Sequence, residues 1–530
     1  MQHRTSTLLV FGDSLSDNGN LFALTGFPMP PAWEGRSSNG PVYAEQLANF
    51  LHMHLDDRAF AGAEASDSSP PVIVNPVTHQ PLPINLSTQI NGYLADLEGQ
   101  PAPHGTTALI NIGSNDYSGF LTQTPSTDPV VIQNFVASVV GSIDHAINQL
   151  TAAGVDHIIL FTLPDFAFTP NAQAAGPAAA AFAHELDVIN NTALEQMAST
   201  HPNVQVVDAF KFSETVFTDP AAFGFNPNLN TELEQQVLAH GHQFAPNELA
   251  FWDGEHPTYA AHSVAAAFAD ASLTSDSVQF LDGTQSVIHA GHGDNFIFAT
   301  PPDPTNHTAN VNYTIYGGAG NDIIYAGAGN VTVHGGSGND LIFAGSGNAL
   351  LEGGSGADVL ETNSLGTNTL IGGSGGDALI ANRAGHNTLL GGSGDDLFVF
   401  KESAGLVNPG GGFNFGTEVV SGGGGHDTLR FIINDQNPAA EQALIAEFLK
   451  VEAAFDAANK HGHAGAFDID GLHVEGVDRI ELQIDSVSTD PNTPFLITHH
   501  IALADGRGGH ESEALNHLLT TADHWNLLTV

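Results

Sequence analysis

The sequence predicts an α/β domain with a parallel sheet, followed by a glycine-rich domain of short parallel strands and a C-terminal segment. Up to about residue 274, short β-branched runs alternate with longer helical patterns, as in parallel sheets covered by helices. A short glycine-rich period then continues to about residue 427, and helical periodicity returns after residue 437. We therefore divide the 530 residues into domains 1–274, 275–432 and 433–530.

Four short apolar runs predict the buried strands of the first domain, because each ends at a turn or a polar residue. They are Thr7–Phe11, Thr107–Ile112, His157–Thr162 and Val204–Val207. Apolar residues spaced by three or four positions predict helices, three in this domain and one in the C-terminal segment. These helices are Pro129–Ala153, Pro177–Ser199, Tyr259–Ala271 and Ala439–Ala458.

The composition restricts the partners of the chain. The 11 Lys and Arg residues stand against 58 Asp and Glu, a net charge of −47. This charge argues against nucleic acid or an anionic membrane as a partner and favours a cation, although acidity that only keeps a secreted protein soluble is the alternative. There is no cysteine, so neither a disulfide framework nor a thiolate metal site exists.

The start of the sequence does not resemble a cleaved signal peptide. Met1 is followed almost at once by the predicted strand at Thr7, which is too short for the apolar region of such a peptide. No run of 18 apolar residues is present. We expect a soluble chain with no stable membrane span, which is exported, if at all, without an N-terminal signal.

A serine directly after the first predicted strand is the first candidate for chemistry. Ser14 lies in Phe11–Asp17 (FGDSLSD), where open α/β sheets place their ligand crevice. Far downstream, Asp253 precedes His256 by three residues at the start of a predicted helix. This aspartate can accept the Nδ1–H of the imidazole, which leaves Nε2 to take the serine proton. The three residues therefore predict a nucleophile, a base and the carboxylate that orients the base.

A serine nucleophile also needs donors for an oxyanion, because attack on an ester carbonyl builds negative charge on its oxygen. Asn115, which follows the second predicted strand, offers a side-chain amide. Gly62 lets its backbone N–H approach a ligand closely, and an ordinary turn glycine is the alternative.

Four blocks of the sequence, in the same order, resemble the GDSL (SGNH) hydrolases, and specifically the branch that includes plant GDSL lipases and bacterial haemolysin-like esterases. The blocks are Phe11–Asn20 (FGDSLSDNGN), Gly35–Gly40 (GRSSNG), Gly113–Asp116 (GSND) and Asp253–Thr258 (DGEHPT). The resemblance implies a three-layer α/β/α domain with a flavodoxin-like parallel sheet.

The same resemblance implies a role for each candidate residue. Ser14 is the nucleophile, His256 is the base and Asp253 orients it. The oxyanion hole consists of the Ser14 N–H, the Gly62 N–H and the Asn115 side chain. The sequence departs from the family pattern around Gly62, where a paired glycine is replaced by Ala61.

The glycine-rich domain repeats the nonapeptide GGxGxDxUx, in which U is a large apolar residue. Successive copies start 18, 18, 19 and 19 residues apart, about two nonapeptides, which predicts one full turn of a two-sided parallel β-roll. The copies are Gly317–Tyr325, Gly335–Phe343, Gly353–Glu361, Gly372–Ile380 and Gly391–Val399. We expect outlying copies at Ala290–Phe298, where Asn295 replaces the aspartate, and at Gly422–Arg430 to cap the roll.

The repeat places its carboxylates on one edge of the roll, where turn carbonyls can complete the oxygen coordination of Ca²⁺. The predicted calcium residues are Asp322, Asp340, Asp358, Asp377, Asp396 and Asp427. The apolar positions predict the interior, formed by Ile324, Ile342, Leu360, Leu379 and Phe398. On the opposite edge we expect an asparagine ladder of Asn330, Asn348, Asn368 and Asn387.

This domain resembles the RTX family of calcium-binding repeats, whose members fold on calcium outside the cell. The resemblance implies an extracellular protein of a Gram-negative bacterium, disordered without calcium and exported by type I secretion machinery that reads an uncleaved C-terminal segment. The apolar end Leu518–Val530 fits such a secretion signal, and a capping subdomain is the other interpretation.

Together these features predict a secreted serine hydrolase that cleaves carboxylic esters, either lipid or short-chain acyl esters. Ca²⁺ would be structural, and catalysis would need no cofactor. A carbohydrate acetylesterase is one alternative, since the same triad serves both. An alternative of another class is a calcium-dependent adhesin or matrix protein with a vestigial hydrolase domain, against which the presence of Ser14, Asn115, Asp253 and His256 argues.

Overall fold

A computed structural model of the chain describes residues 6–67, 73, 80–123, 125–240, 249–299, 311–362, 366–382, 385–401, 417–434, 438–458, 465–469, 471–487 and 496–501. The apolar end Leu518–Val530 lies outside the described residues.

The first domain has the predicted three-layer α/β/α architecture, with helices on both faces of a five-stranded parallel sheet of order β2-β1-β3-β4-β5. The strands are β1 Thr7–Gly12, β2 His54–Asp57, β3 Thr106–Asn111, β4 His157–Phe161 and β5 Val204–Val207. The helices are α1 Asn20–Thr25, α2 Tyr43–Phe50, α3 Leu86–Asp96, α4 Ser114–Gln123, α5 Pro129–Ala152, α6 Pro170–Ala175, α7 Pro177–Ala198, α8 Ala209–Thr218, α9 Leu233–His240 and α10 Tyr259–Thr274.

The central strand β1 supplies both layers of the core. Its side chains alternate between the two faces of the sheet, as the geometry of a strand requires. Leu8 and Val10 pack with residues of α2 and α10, whereas Leu9 and Phe11 pack with residues of α3, α5 and α7. Because β2 and β3 flank β1 on opposite sides, the carboxyl end of β1 opens at the switch point of the sheet, where ligands bind in such folds.

Helix α5 is long and apolar enough to cross a membrane, judged by length and composition. In this fold it lies against the sheet, and its apolar face is part of the core on the α3 and α7 side. Packing inside the domain therefore accounts for its apolar composition.

The second domain is a roll of two facing sheets of parallel strands, as predicted. One sheet contains β6 Ser277–Leu281, β8 Asn295–Ala299, β10 Ile323–Tyr325, β12 Leu341–Ala344, β14 Val359–Thr362, β16 Ala378–Asn382, β18 Leu397–Lys401, β20 Thr428–Asn434, β23 Arg479–Val487 and β24 Leu496–Ile501. The other contains β7 Val287–His292, β9 Thr314–Ala319, β11 Val331–Ser337, β13 Ala349–Ser355, β15 Thr367–Ser374, β17 His386–Ser393, β19 Glu418–Gly424, β21 Phe467–Ile469 and β22 Leu472–Glu475.

The predicted interior of the roll is confirmed. The five apolar residues pair in register from strand to strand, and each side chain is fully buried. The two outlying copies differ in position. Gly422–Arg430 does not cap the roll, because β20 pairs with both β18 and β23. Ala290–Phe298 lies at the first end of the roll, because it contains the end of β7, the last strand of one sheet, and only β6 lies beyond β8 in the other.

The C-terminal segment continues the roll. Strand β20 runs across residue 432, where the boundary was predicted, and β22 and β23 extend the two sheets in parallel. Antiparallel strands β21 and β24 then end the sheets. Helix α11 (Pro438–Ala458) places Phe448 against Phe431 of β20, at 5.9 Å between ring centroids. The three-part division of the chain stays a prediction.

The first domain and the roll share one apolar core. The ring of Phe268 on α10 lies 5.2 Å from those of Phe212 and Phe298 and 5.5 Å from that of Phe296, between centroids. Phe223 lies 4.9 Å from Tyr325 in the same way. Phe296, Phe298 and Tyr325 are the outward neighbours of interior residues, because strand side chains alternate. The first domain therefore covers an apolar outer face of the roll.

We predict that Phe268→Ala lowers the free energy of unfolding by about 3–5 kcal/mol, because it opens a cavity where both domains meet. Chemical unfolding in excess calcium measures this loss. Leu24→Ala is the control, since Leu24 is 52% exposed, and it should change the stability by no more than about 0.5 kcal/mol. Equal stability of the two variants would contradict the shared core.

Candidate active site and calcium edge

Ser14 lies in a tight turn that continues from β1, and its side chain is mostly buried. Gln89 of α3 holds the start of this turn: its Oε1 accepts from the Gly12 N–H at 3.0 Å, and its Nε2 donates to the Gly12 carbonyl at 2.8 Å. A Cβ at Gly12 would lie 2.7 Å from the Asn111 carbonyl oxygen, so only glycine fits there. The strand and the helix thus fix the position of Ser14.

Asp17 connects the serine turn to the loop that contains Gly62. Its carboxylate accepts backbone N–H groups of Gly19 and Asn20 at 2.8 and 2.6 Å, and also that of Ala61 at 2.8 Å. Neither Gln89 nor Asp17 was identified as a functional residue from the sequence. Both act by positioning the backbone.

The structure brings Ser14, His256 and Asp253 together. The Ser14 Oγ lies 2.9 Å from Nε2 of His256, and Nδ1 of His256 lies 2.9 and 2.8 Å from the two carboxylate oxygens of Asp253. Nδ1 therefore carries the proton that Asp253 accepts, and Nε2 is free to accept the serine hydroxyl proton. Asp253 also accepts the backbone N–H of Glu255 and of His256, which fixes the loop.

The loop of His256 is anchored at the start of α10. Thr258 caps this helix by accepting from the Ala261 N–H at 3.3 Å. Asn39 accepts the Tyr259 N–H at 2.7 Å, and Ser38 donates to the Pro257 carbonyl at 3.0 Å. The GRSSNG block of the sequence therefore holds the histidine loop in place.

Charges around His256 stabilise its protonated form. Burial disfavours that form, but the hydrogen bond to Asp253 and the charges of Asp253, Glu255 and Asp13 outweigh it, so the pKa of His256 is raised above its ordinary value. For Asp253, burial raises the pKa. The hydrogen bond to His256 and the charge of His256 outweigh burial and hold the pKa of the carboxyl below its ordinary value.

Asp13 is a buried carboxyl group that the sequence did not single out. Burial raises its pKa to about 6, against the opposing effects of the Leu15 N–H and the charge of His256. Its side chain is fully buried beside the catalytic turn. Asp13 therefore belongs to the electrostatic environment of the base.

The predicted oxyanion donors differ in position. Ser14 and Asn115 both line the catalytic cleft, and Nδ2 of Asn115 donates to the Ala63 carbonyl at 2.8 Å, so one further amide proton stays available. Gly62 is not among the residues that line the cleft. It has a φ of 82°, and Ile73 occupies the space that its Cβ would need. Asn115 lies in the cleft, as an oxyanion donor must, and the role of Gly62 as an oxyanion donor stays a prediction.

The rest of the cleft combines a polar side with an apolar side. Asp165, Thr169 and Glu255 line it together with the apolar side chains of Leu15, Pro164, Phe166, Phe217, Phe251 and Pro257. Glu255 also accepts from Asn171 at 3.0 Å. The cleft can therefore accept a substrate with both polar and apolar parts.

Asp165, His184 and Glu214 form a cluster whose ligand atoms lie within 4.8 Å of one another. Nδ1 of His184 lies 2.7 Å from the Asp165 carboxylate, which is an ion pair when the histidine is protonated. Burial, followed by the Asp165 charge, raises the pKa of Glu214 to about 7. The contact between His184 and Asp165 and the raised pKa of Glu214 describe a coupled acidic cluster beside the cleft.

The six predicted calcium residues form one continuous column along an edge of the roll. In each, Oδ1 accepts the backbone N–H of the preceding residue of the column, at 2.8 to 2.9 Å, with Asn295 as the first donor. The other oxygen, Oδ2, is buried and has no hydrogen-bond partner in any of the six. A row of orphaned carboxylate oxygens fits a hard cation such as Ca²⁺.

The first glycine of each repeat leaves space beside these oxygens. A Cβ at Gly317, Gly335, Gly353, Gly372 or Gly391 would overlap Oδ2 of the aspartate five residues later. No positive φ is recorded at these five positions, so space rather than backbone conformation requires glycine there. The repeat pattern therefore preserves room at the orphaned oxygens.

The carboxylates of the column are costly to ionise without a cation. Burial raises the pKa of Asp340 to about 7 and that of Asp358 and Asp396 to about 8, with smaller effects of neighbouring charges. Burial likewise raises the pKa of Asp322, and brings those of Asp377 and Asp427 to about 6. Asn295 ends the column without a charge and donates its side-chain amide to Asp322 at 2.8 Å.

The asparagine ladder exists as two short ladders rather than one. Asn348 donates to Asn330 at 2.9 Å, and Asn368 donates to Asn387 at 2.8 Å. The two pairs are offset by one residue, because the strand register places Asn368 opposite Ala349 and not opposite Asn348. Asn368 accepts the N–H of Ala349 at 3.0 Å. The second ladder ends at Glu418, which accepts from the Asn387 N–H.

Comparison with known protein families separates the same two parts. Residues 8–268 match the family model of GDSL-like lipase/acylhydrolase. Residues 316–351, 332–360 and 362–398 match the RTX calcium-binding nonapeptide repeat. The first match contains Ser14, Asp253 and His256.

Individual relatives each match less than half of the chain. Phosphatidylcholine-sterol acyltransferase of Aeromonas hydrophila is 28% identical over 235 residues, which cover 42% of this chain and 64% of the relative. Thermolabile hemolysin of Vibrio parahaemolyticus is 25% identical over 286 residues, covering 49% and 62%. The chain thus spans less than two thirds of either relative. A solved lipolytic protein of the G-D-S-L family from Veillonella parvula aligns with a TM-score of 0.28 and 13% identity, over 50% of this chain and 95% of that one.

We predict that Glu255→Gln moves the acidic limb of the pH–rate profile to lower pH. The base must be neutral to accept a proton, and the Glu255 charge is one of the causes that raise the pKa of His256. Removing this charge lowers that pKa, so activity persists at lower pH. The measurement is kcat/KM between pH 5 and 9, with the exposed Glu185→Gln as control. An unchanged limb would show that Glu255 does not act on the base.

We predict that Asp358→Asn raises the calcium concentration needed to fold the roll by at least about threefold, because it removes one carboxylate from the column while keeping the Oδ1 acceptor. Calcium titration followed by far-UV circular dichroism measures the midpoint. Asp156→Asn is the control, since its side chain is 74% exposed and lies in the first domain. If the calcium midpoint of Asp358→Asn equals that of the wild type, Asp358 is not a calcium ligand.

Proposed function

Given that the chain joins a GDSL-like lipase/acylhydrolase domain to RTX calcium-binding repeats, we propose that it is a secreted serine hydrolase of carboxylic esters. The observation that carries the proposal is the continuous line of hydrogen bonds from the Ser14 hydroxyl through His256 to Asp253. This is the arrangement by which a serine is activated as a nucleophile.

The reaction follows from the contacts of these residues. Ser14 Oγ attacks the carbonyl carbon of the ester, and its proton passes to Nε2 of His256. The tetrahedral intermediate then collapses, and the alcohol leaves with the proton from His256. Water attacks the acyl-enzyme in the same way, giving its proton to His256, and Ser14 regains a proton as the acid departs. Asp253 orients the imidazole and stabilises its protonated form throughout.

The negative charge on the carbonyl oxygen needs donors in both steps. We assign this part to the Ser14 N–H and the Asn115 amide, with the Gly62 N–H as the third donor. Asn115 is held by its bond to the Ala63 carbonyl, one residue after Gly62. The bond keeps the amide beside the loop that would supply the third donor.

The substrate in this proposal is a lipid ester or a short-chain acyl ester. The Aeromonas relative is named as an acyltransferase, so an alcohol in place of water is a possible second acceptor of the acyl group. A carbohydrate acetylesterase would use the same residues and differs only in the ester that it accepts.

Calcium has a structural part in the proposal. The orphaned Oδ2 atoms of the six aspartates, Asp322 to Asp427, would hold Ca²⁺ in the roll. Bound Ca²⁺ would neutralise the column and let it fold outside the cell. Export by type I secretion machinery of a Gram-negative bacterium is the part of the proposal that rests on the RTX repeats alone.

We predict that Ser14→Ala lowers kcat for p-nitrophenyl esters by a factor on the order of 10⁴ to 10⁶, because no other group forms the acyl-enzyme. The assay compares acetyl to palmitoyl esters, with calcium and with chelator. Ser199→Ala, at an exposed position after α7, is the control and should keep full activity.

Turnover that persists in Ser14→Ala would overturn the catalytic assignment. No turnover in the wild type with any ester would favour the alternative of a calcium-folded adhesin or matrix protein. Preference for acetyl esters of sugars over p-nitrophenyl acyl esters would favour the acetylesterase.

A further inference from the structure

An apolar recess continues the catalytic cleft into the core of the first domain. Leu15, Pro164, Phe217 and Pro257 line both the cleft and the recess. Leu15 directly follows Ser14, and Pro257 directly follows His256, so the opening of the recess lies beside the catalytic pair. The two spaces are therefore parts of one substrate site.

The inner end of the recess is closed by core residues. Tyr43, Phe161, His262 and Phe268 line it, and each is at most 6% exposed. Ala209 of α8 and Ala265 of α10 form parts of its side walls. Small residues in these two helices leave the space open, because larger side chains would fill it.

The imidazole of His262, which lines the recess, carries no charge at working pH. Burial, followed by the charge of His256, lowers the pKa of His262 to about 3. Tyr43 is also neutral, because burial raises the pKa of its phenol and outweighs the opposing hydrogen bonds to Ser16 at 3.1 Å and Asn111 at 3.0 Å. The recess therefore presents an uncharged and mostly apolar surface.

The reaction sequence decides which part of an ester occupies the recess. The alcohol leaves before water attacks, so it must stand on the open side of the cleft. The acyl group stays bound to Ser14 Oγ through both steps. A recess that ends in the core therefore suits the acyl group, which stays bound. An alcohol bound there could not leave before water attacks.

We propose that this recess binds the acyl chain of the substrate and limits its length, an inference that rests on the proposed function. The recess has a volume of about 80 Å³. An apolar cavity of about 150 Å³ holds benzene, so this recess has room for roughly three carbons beyond the carbonyl. The preferred substrates are therefore esters of short acyl chains, about four carbons long, rather than acetyl or palmitoyl esters.

Filling the recess from either wall tests this. Ala265→Leu and Ala209→Leu each place a larger side chain in it, and leucine is compatible with a helix. Neither residue belongs to the catalytic triad. Each variant should lower kcat/KM for p-nitrophenyl butyrate at least about tenfold, while acetate changes by less than about threefold. Ala181→Leu, exposed on α7, is the matched control and should leave the whole profile unchanged.

The full-length protein with calcium is used throughout, and thermal unfolding identifies a variant that does not fold. The two variants lie on different helices, so one remains informative if the other is unstable. A Ser14-dependent wild type whose two recess variants lower all chain lengths equally, or none, would overturn the inference while leaving the proposed function intact. A wild type whose turnover does not depend on Ser14 would overturn the proposed function itself.

Discussion

Helix α10 links the catalytic loop to the roll, and the packing along it supports much of the rest of the structure. Its N-terminus follows His256 and is held by Thr258 and Asn39. Near its other end, Phe268 packs among aromatic residues of α8 and of strand β8. Ala265, between them, forms part of a wall of the apolar recess. One helix therefore touches the base, the recess and the roll.

The roll depends on a different constraint, which is the burial of carboxylates. Six aspartates stacked at intervals of one turn would repel one another, and each keeps one oxygen without a partner. Either protonation of the carboxylates or a bound cation removes this repulsion. The raised pKa values show the tendency toward protonation. At neutral pH a bound divalent cation would stabilise the column more than protonation does, because it neutralises two charges and supplies the missing partner. The acidity of the chain therefore has a structural reason at this edge.

The sequence predicted those features that depend on short motifs. Ser14, Asn115 and His256 each follow a strand or precede a helix, so the common topology of parallel sheets brings them to one edge. The repeat spacing predicted the interior of the roll and its aspartate column. Strand β2 was missed because it is polar and lies at the edge of the sheet, where burial gives no pattern.

Other features depend on long-range packing, which short motifs do not encode. Gln89 and Asp17 fix the catalytic turn through bonds to backbone groups, for which neither residue has a sequence pattern. The asparagine ladder was placed out of register because the turns of the roll differ in length by one residue between 18 and 19. The covering of the roll by α10 and by Phe223 depends on the shapes of two surfaces that are far apart in the sequence.

Because the two domains share an apolar core, calcium bound to the roll can stabilise the catalytic domain without contacting the substrate. A ligand that binds only the folded state at one hundred times its Kd stabilises that state by about 2.7 kcal/mol per site. If the roll unfolds, Phe223 and Phe268 lose their aromatic neighbours on β8, β10 and β12. The first domain would then expose a large apolar face, which is the costliest kind of surface to leave in water. Calcium bound at the aspartate column would therefore contribute to the stability of α10, the helix that follows His256.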